Sequence, residues 1–147
     1  MELEWAQLVI PASAYDAASV LGGWADILGP NLSVLLPTRL GHVFLEHADG
    51  TVWFLDTWSG GLTLACDSYE QFKAQVSQDD DFMARYLMPE VVADLVDSGR
   101  VADGDKCYSA VVSPGIGGSF DPKNFIVGSL RVHLATSAAE YSALHGK

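Results

Sequence analysis

An α+β fold, an antiparallel sheet with helices packed on one side, is what this sequence predicts. Three observations predict it. Residues 43–66 run as three short apolar segments broken by the tight turns Asp49-Gly50 and Ser59-Gly60-Gly61, the pattern of a β-meander. Residues 68–99 then switch to helical spacing, opened by Ser68 and Pro89 and closed by Gly99. The chain of 147 residues, 49% apolar and 18% charged, can bury a core without disulfides or metals. Its length suits a single domain over residues 1–147.

The elements follow in chain order. Ser13 is placed to cap a short helix through Leu21, stopped at Gly22-Gly23. A second short element runs from Trp24 to Leu28 and ends at Gly29-Pro30. Leu32 to Leu36 reads equally as a short strand or a buried turn before Pro37. From Gly41 the signal sharpens. Val43, Leu45 and His47 alternate with His42, Phe44 and Glu46, the period of a strand. Asp49-Gly50 is a strong hairpin signal, because both residue types tolerate positive φ. Thr51 to Thr57 is the return strand and Leu62 to Cys66 the third.

Ser68 with Gln71 three residues on has the form of a capping box, heading a helix through Val76 with Tyr69, Phe72 and Val76 on one face. After Asp79-Asp80-Asp81, Phe82 to Leu87 reads as helix, and Pro89 opens another with Val92, Leu95 and Val96 inward. Cys107 to Val112 returns to strand, SPGIGGSFDPKN is a loop, and Phe125 to Val127 is a further short strand. The spacing Leu130, Leu134, Ala138, Tyr141, Leu144 predicts a terminal helix capped by Ser129, with a strand reaching Val132 left open.

Candidate chemistry is thin. His42, Glu46 and His47 have ligand chemistry but not the helical spacing that joins His and Glu around zinc. On a strand His47 points away from the other two, so no metal or other cofactor is expected. Trp53, Trp58, Phe44 and Phe54 suit core packing better than a stacking platform. Asp56, in an apolar strand, is read as an acid tying down the Ser59-Gly60-Gly61 turn. Cys66 and Cys107 are expected as reduced, buried thiols. GIGG at 115–118 lacks the Lys and Ser/Thr of a phosphate loop, and no nucleophile elbow occurs. No catalytic residue is assigned, and the protein is expected not to be an enzyme.

Charge says more. Eight basic against 19 acidic side chains give a net charge of −11. Between Asp67 and Asp105, ten acids face only Lys73, Arg85 and Arg100. Such a chain is repelled by nucleic acid and by anionic lipid, and is steered towards a cationic partner. The acidic start Met-Glu-Leu-Glu-Trp has no basic-then-apolar signal pattern, and no apolar run approaches the length of a membrane span. A soluble, cytoplasmic protein is the expectation.

Taken together, "GHVFLEHADGTVWFLDTWSGGL", "SYEQF", "CYSAVVSPGIGGSFDPKNF" and "VHLA" resemble the C-terminal domain of type VI secretion immunity proteins. These neutralise DNase effectors and are often found beside a GAD-like domain. The residues that carry the likeness are Gly41 to Phe44, Asp49-Gly50, Leu55-Asp56, Glu70 and Phe72, then Cys107-Tyr108, Pro114, Gly117-Gly118, Asn124 and Val132-His133. They cover residues 41–135. Ile116 stands where Leu is commoner in the family, and the first 40 residues are too short for a full companion domain.

The resemblance implies an inhibitor that binds a cognate toxin, a cationic nuclease, without chemistry of its own. The acidic balance agrees, since a polyanion surface mimics the nuclease's substrate. Candidate contacts are Asp79, Asp80, Asp81, Asp103 and Asp105, with Ile116, Gly117, Gly118 and Phe120 as the apolar loop contact. Asp79, Asp80 and Asp81 equally suit a helix N-terminus. The alternative is a non-catalytic small-molecule or peptide-binding module, its pocket rimmed by Trp53, Trp58 and the 115–118 loop. A third reading is a hydrolase using Asp56 with His42 or His133.

Overall fold

The Asp49-Gly50 turn seeds the architecture. In the computed structural model, which describes residues 3–144, it joins Val43–His47 (β2) to Val52–Asp56 (β3), with Phe44 opposite Phe54 and Leu45 opposite Trp53. Of the two turn residues only Gly50 takes a positive φ, +90°. Asp49 instead accepts hydrogen bonds from the Thr51 amide and hydroxyl, a local brace typical of Asp. Leu32–Pro37 (β1) pairs with β2 and Gly61–Cys66 (β4) with β3, giving one antiparallel sheet in the order β1-β2-β3-β4. The segment left open between strand and turn is therefore an edge strand, and Pro37 lies at its end, where a missing N–H is tolerated.

The class is α+β, but the helices cover both faces of the sheet rather than one. Phe44 and Phe54 meet Tyr69–Gln78 (α3), Asp80–Tyr86 (α4) and Pro89–Asp97 (α5) through Phe72, Phe82, Tyr86 and Leu95. Val43, Leu45 and Leu55 meet Gly23–Leu28 (α2) and Leu130–Leu144 (α6) through Trp24, Leu130, Leu134 and Ala138. The reason lies in β2 and β3. Val43, Phe44 and Leu45 are successive and all fully buried, and a strand apolar on both sides needs cover on both.

A second, two-stranded sheet pairs Lys106–Ala110 (β5) with Phe125–Ser129 (β6). β5 stops short of the predicted Val112. The Val111 amide turns to the Asn124 carbonyl and the Val112 amide to the Asn124 side chain, which takes both valines out of the ladder and leaves them exposed.

The helix signals hold with three corrections. Ser68 caps α3, accepting from the Gln71 amide at 3.1 Å, but the Gln71 side chain reaches the Asp67 amide rather than that of Ser68. No helix spans Ser13 to Leu21. A single 3-10 turn, Ala12–Ala14, is followed by a turn in which Asp16 binds the Ala18 amide and Ser19 hydroxyl, local bonds that compete with a helix. Gly22 then precedes α2 instead of ending a helix. In α6 the buried stripe holds through Ala138, but Leu144 is exposed.

Arg39, which the sequence did not single out, is 2% exposed. Its guanidinium donates to the carbonyls of Ala6, Gly104 and Lys106 at 3.0, 2.8 and 2.7 Å. It ties the N-terminal helix Trp5–Leu8 (α1) to the turn before β5. Cys66 and Cys107 are free, buried thiols, and burial pushes Cys107 up to about 12, which leaves it a poor nucleophile.

Candidate functional site

Where β2 begins and β3 ends, the chain gathers a line of polar side chains through the interior. The Thr57 amide donates to His42 Nδ1 at 3.0 Å, and the Thr57 hydroxyl donates to the Gly41 carbonyl at 3.0 Å. Thr57 Oγ1 lies 3.0 Å from His133 Nε2, and His133 Nδ1 lies 2.8 Å from Ser109 Oγ. One proton assignment is consistent with all of these contacts. His42 accepts at Nδ1, while His133 donates from Nε2 to Thr57 and accepts the Ser109 hydroxyl at Nδ1. Both rings are then neutral.

Burial pushes each histidine down to about 4, because a charged ring loses its hydration there. For His42 the Asp56 carboxylate, 3.5 Å away, opposes that shift and His133 adds to it. Gly41 makes the crossing possible. At φ +86° it brings its backbone so close that a Cβ would sit 2.3 Å from His133 Nε2.

Asp56 has the role the sequence predicts for it. Its carboxylate accepts from the Trp58 amide at 2.9 Å and the Ser59 hydroxyl at 3.1 Å, and its carbonyl accepts from the Gly60 amide at 2.7 Å. The turn so fixed forms one wall of a pocket of about 450 Å³. The other walls are β5, β6, the Ser113–Ile116 loop and α6. Thr57, Ser109 and His133 line its polar part, while Ile116, Ile126, Val132 and Leu144 are apolar lining residues that remain exposed. The loop is drawn onto the turn by the Ser113 hydroxyl, which donates to the Trp58 carbonyl at 2.7 Å. Gly115 permits that approach, since a Cβ there would lie 2.4 Å from the same oxygen. The Trp58 ring packs edge-on against His42 and Phe120, and its buried Nε1 makes no hydrogen bond among the described residues.

Ser109 and His133 have the spacing of a nucleophile and its base. The base is weak, however, and its far nitrogen is held by a hydroxyl rather than a carboxylate. Asp56 and His42, the other residues of the hydrolase reading, are not among those lining the pocket. Among the described residues no group of three or more His, Cys, Asp or Glu is placed to hold a metal ion, and no helix is long and apolar enough to cross a membrane.

The candidate contact residues fall into three places. Asp79 is the N-cap of α4, accepting from the Phe82 amide at 3.1 Å, and Asp80 and Asp81 are its exposed first turn. Asp103 and Asp105 lie where their charges favour the buried Arg39 cation, and Asp105 also meets Lys106 Nζ at 3.5 Å. None of these five acids lines the pocket; Ile116 does. Gly117, at φ +101°, and Gly118, whose Cβ would collide with the Val112 carbonyl, shape the loop, and Phe120 is exposed against Trp58. The rim proposed for a small-molecule pocket keeps Trp58, Gly115 and Ile116, while Gly117, Gly118 and Trp53 fall outside it. Trp53 Nε1 donates to Thr51 Oγ1 at 2.8 Å instead.

Sequence reasoning missed the α6 contribution. Val132, Thr136 and Glu140 all line the pocket. Their four-residue spacing, beside the buried stripe Leu130, Leu134 and Ala138, was the available signal.

The architecture is that of an antiparallel sheet covered on both faces by helices, with an apolar-rimmed pocket beside its last helix. Residues 66–138 match the family model described as T6SS immunity protein Tdi1, C-terminal. That match, about half the chain from the end of β4 into α6, supports the type VI secretion immunity family. It takes in Ser109, Ile116, Val132 and His133, whereas the Gly41–Leu62 hairpin lies outside it. The fold is similar to the crystal structure of Atu4351 from Agrobacterium tumefaciens, with a TM-score of 0.58 at 14% identity. The likeness covers 84% of this chain, which spans 64% of the length of that one. No curated protein matches the chain.

Proposed function

We propose that this chain is an immunity protein that binds and neutralises a cognate secreted effector. The effector is a cationic DNase of a type VI secretion system, held inactive in the cytoplasm. The observation that carries the reading is the family match over residues 66–138. The charge of −11 supports a basic partner, since DNA-cleaving proteins need cationic surfaces to hold phosphates. Asp80, Asp81 and Asp103 are exposed and free to steer such a surface, and Ile116 and Phe120 offer apolar contact area nearby in the chain. The reading asks no catalysis of this chain.

Co-expression with an inactivated effector from the neighbouring reading frame, followed by pull-down in low and high salt, is the test. A stoichiometric complex that weakens with salt, and weakens further when Asp80 and Asp81 become Asn, is expected. Asp79 is left intact because it caps α4. Failure to capture any neighbouring effector, at any salt, would sink the proposal.

A second reading has one observation in its favour. The pocket's volume of about 450 Å³ falls within the range of small-molecule sites. A thermal-shift screen of neutral and cationic metabolites, with no stabilising hit, would remove it.

A further inference from the structure

We propose that the pocket beside α6 receives a basic side chain, an arginine or lysine projecting from the effector. This rests on the immunity reading above. The first argument is electrostatic. Glu140 lines the pocket and has no ion-pair partner among the described residues. Among the described residues the lining includes no Lys or Arg, and its histidine, His133, is neutral and bonded at both nitrogens. A carboxylate or phosphate would find no counter-charge there, whereas a cation would find one.

The second argument is shape and polarity. Ile116, Ile126, Val132 and Leu144 are each 59–70% exposed, yet all contribute to the same concavity. Four large apolar side chains gathered round one pocket mark a recognition patch rather than scattered surface residues. Lys and Arg are the side chains with an aliphatic stem to cover such walls and a charged head to reach a carboxylate. Trp58 and the hydroxyls of Ser109 and Thr136 complete a lining suited to a cation and its donors.

The position on α6 is consistent with this. Val132, Thr136 and Glu140 follow one another at four-residue steps along the pocket, so a side chain laid along the helix meets apolar, hydroxyl and carboxylate groups in turn. Seating the partner's charge here also differs from rim steering by the acids of residues 67–105. Those act on association rate, whereas a buried contact acts on residence.

The first arm of the test needs no effector. The full chain, with labelled Ile, Leu and Val methyl groups, is titrated by NMR with three blocked tripeptides: acetyl-Ala-Arg-Ala-amide, acetyl-Ala-norleucine-Ala-amide and acetyl-Ala-Glu-Ala-amide. Saturable shifts at the Ile116, Ile126 and Val132 methyls are expected with the Arg peptide. Roughly tenfold weaker binding is expected in Glu140→Gln, on the scale of one charge-assisted bond. No shift at these methyls with the Arg peptide, equal binding of the norleucine or Glu peptide, or indifference to Glu140→Gln would each overturn the proposal. A second arm adds the Arg peptide to the purified effector complex, where the methyls are expected to be already shifted and unresponsive. Unchanged peptide binding there would mean that the site serves a free ligand, and the proposal fails. A missing complex, by contrast, counts against the immunity reading and is read from the pull-down alone.

Discussion

The two faces of the four-stranded sheet are built of different materials. The face towards α3, α4 and α5 is an aromatic block. Phe44 lies 4.9 Å from Phe54, 4.8 Å from Phe72 and 5.5 Å from Tyr86, centroid to centroid. The face towards α2 and α6 is aliphatic and carries polar groups at depth. There Trp24 donates to Ser137, and His133 joins Thr57 to Ser109. Rings that interlock supply burial and shape in a region that needs no opening. The α6 face holds its polar groups in a satisfied network, and beside that network the surface is left concave. The contrast teaches that interlocked aromatic packing and a buried polar network are divided between the faces.

The division can be broken most directly at Phe44. Phe44→Ala is expected to cost about 3–5 kcal/mol, the range for deleting a buried ring, read as a fall in urea midpoint at unchanged slope. A loss below about 1 kcal/mol would mean that the aromatic block is not the main support.

The next largest effect is in pH and belongs to the other face. His42 and His133 stand at about 4 in the folded protein against the ordinary 6.5 of a free imidazole. As pH falls the unfolded chain therefore takes up protons first. Their contribution is whole above pH about 6.5 and is lost progressively towards pH 4, amounting to about 2 kcal/mol for the pair between pH 7 and 5.5. Urea unfolding at those two pH values measures it. A flat profile would contradict two neutral, buried imidazoles.

Asp56→Ala sharpens the picture at the pocket wall. It strands the Trp58 amide and the Ser59 hydroxyl and is expected to cost about 1–2 kcal/mol, with methyl shifts confined to residues near the Ser59–Gly61 turn. Stability equal to wild type would revive a functional role for this carboxylate. The smallest effects fall on the acidic triplet. Asp79→Ala removes a helix cap and is expected to cost about 1 kcal/mol, and Asp80→Asn or Asp81→Asn a few tenths. Equal effects at all three positions would undo the distinction between a cap and two free surface charges.

Asp79 was read only as one member of an acidic triplet, whereas the hairpin, the turn acid Asp56, the cap Ser68, and the stops at Gly29 and Gly99 were legible in the sequence. Each depends on residues within a few positions of one another, so local rules suffice. The helix predicted from Ser13 failed for a local reason too, because Asp16 offers its neighbours a competing turn. The candidate site was half legible. Ile116 and its loop were visible as an apolar, glycine-rich segment, and the loop does form a pocket wall. Glu140, Val132 and the Ser109–His133 bond were not, since the pocket's polar line joins Thr57 to His133 across 76 residues and His133 to Ser109 across 24.

By itself, then, the sequence determined the α+β class, the antiparallel meander, most element ends and an acidic character. These follow from periodicity, turn chemistry and charge, which are properties of neighbouring residues. Tertiary structure alone decided that helices cover both faces of the sheet, that Arg39 is buried against three carbonyls, and that α6 lies beside the Trp58–Gly60 turn. Those outcomes depend on which apolar faces meet. Burial is non-directional, so it leaves no short-range pattern in the chain from which the meeting could be read.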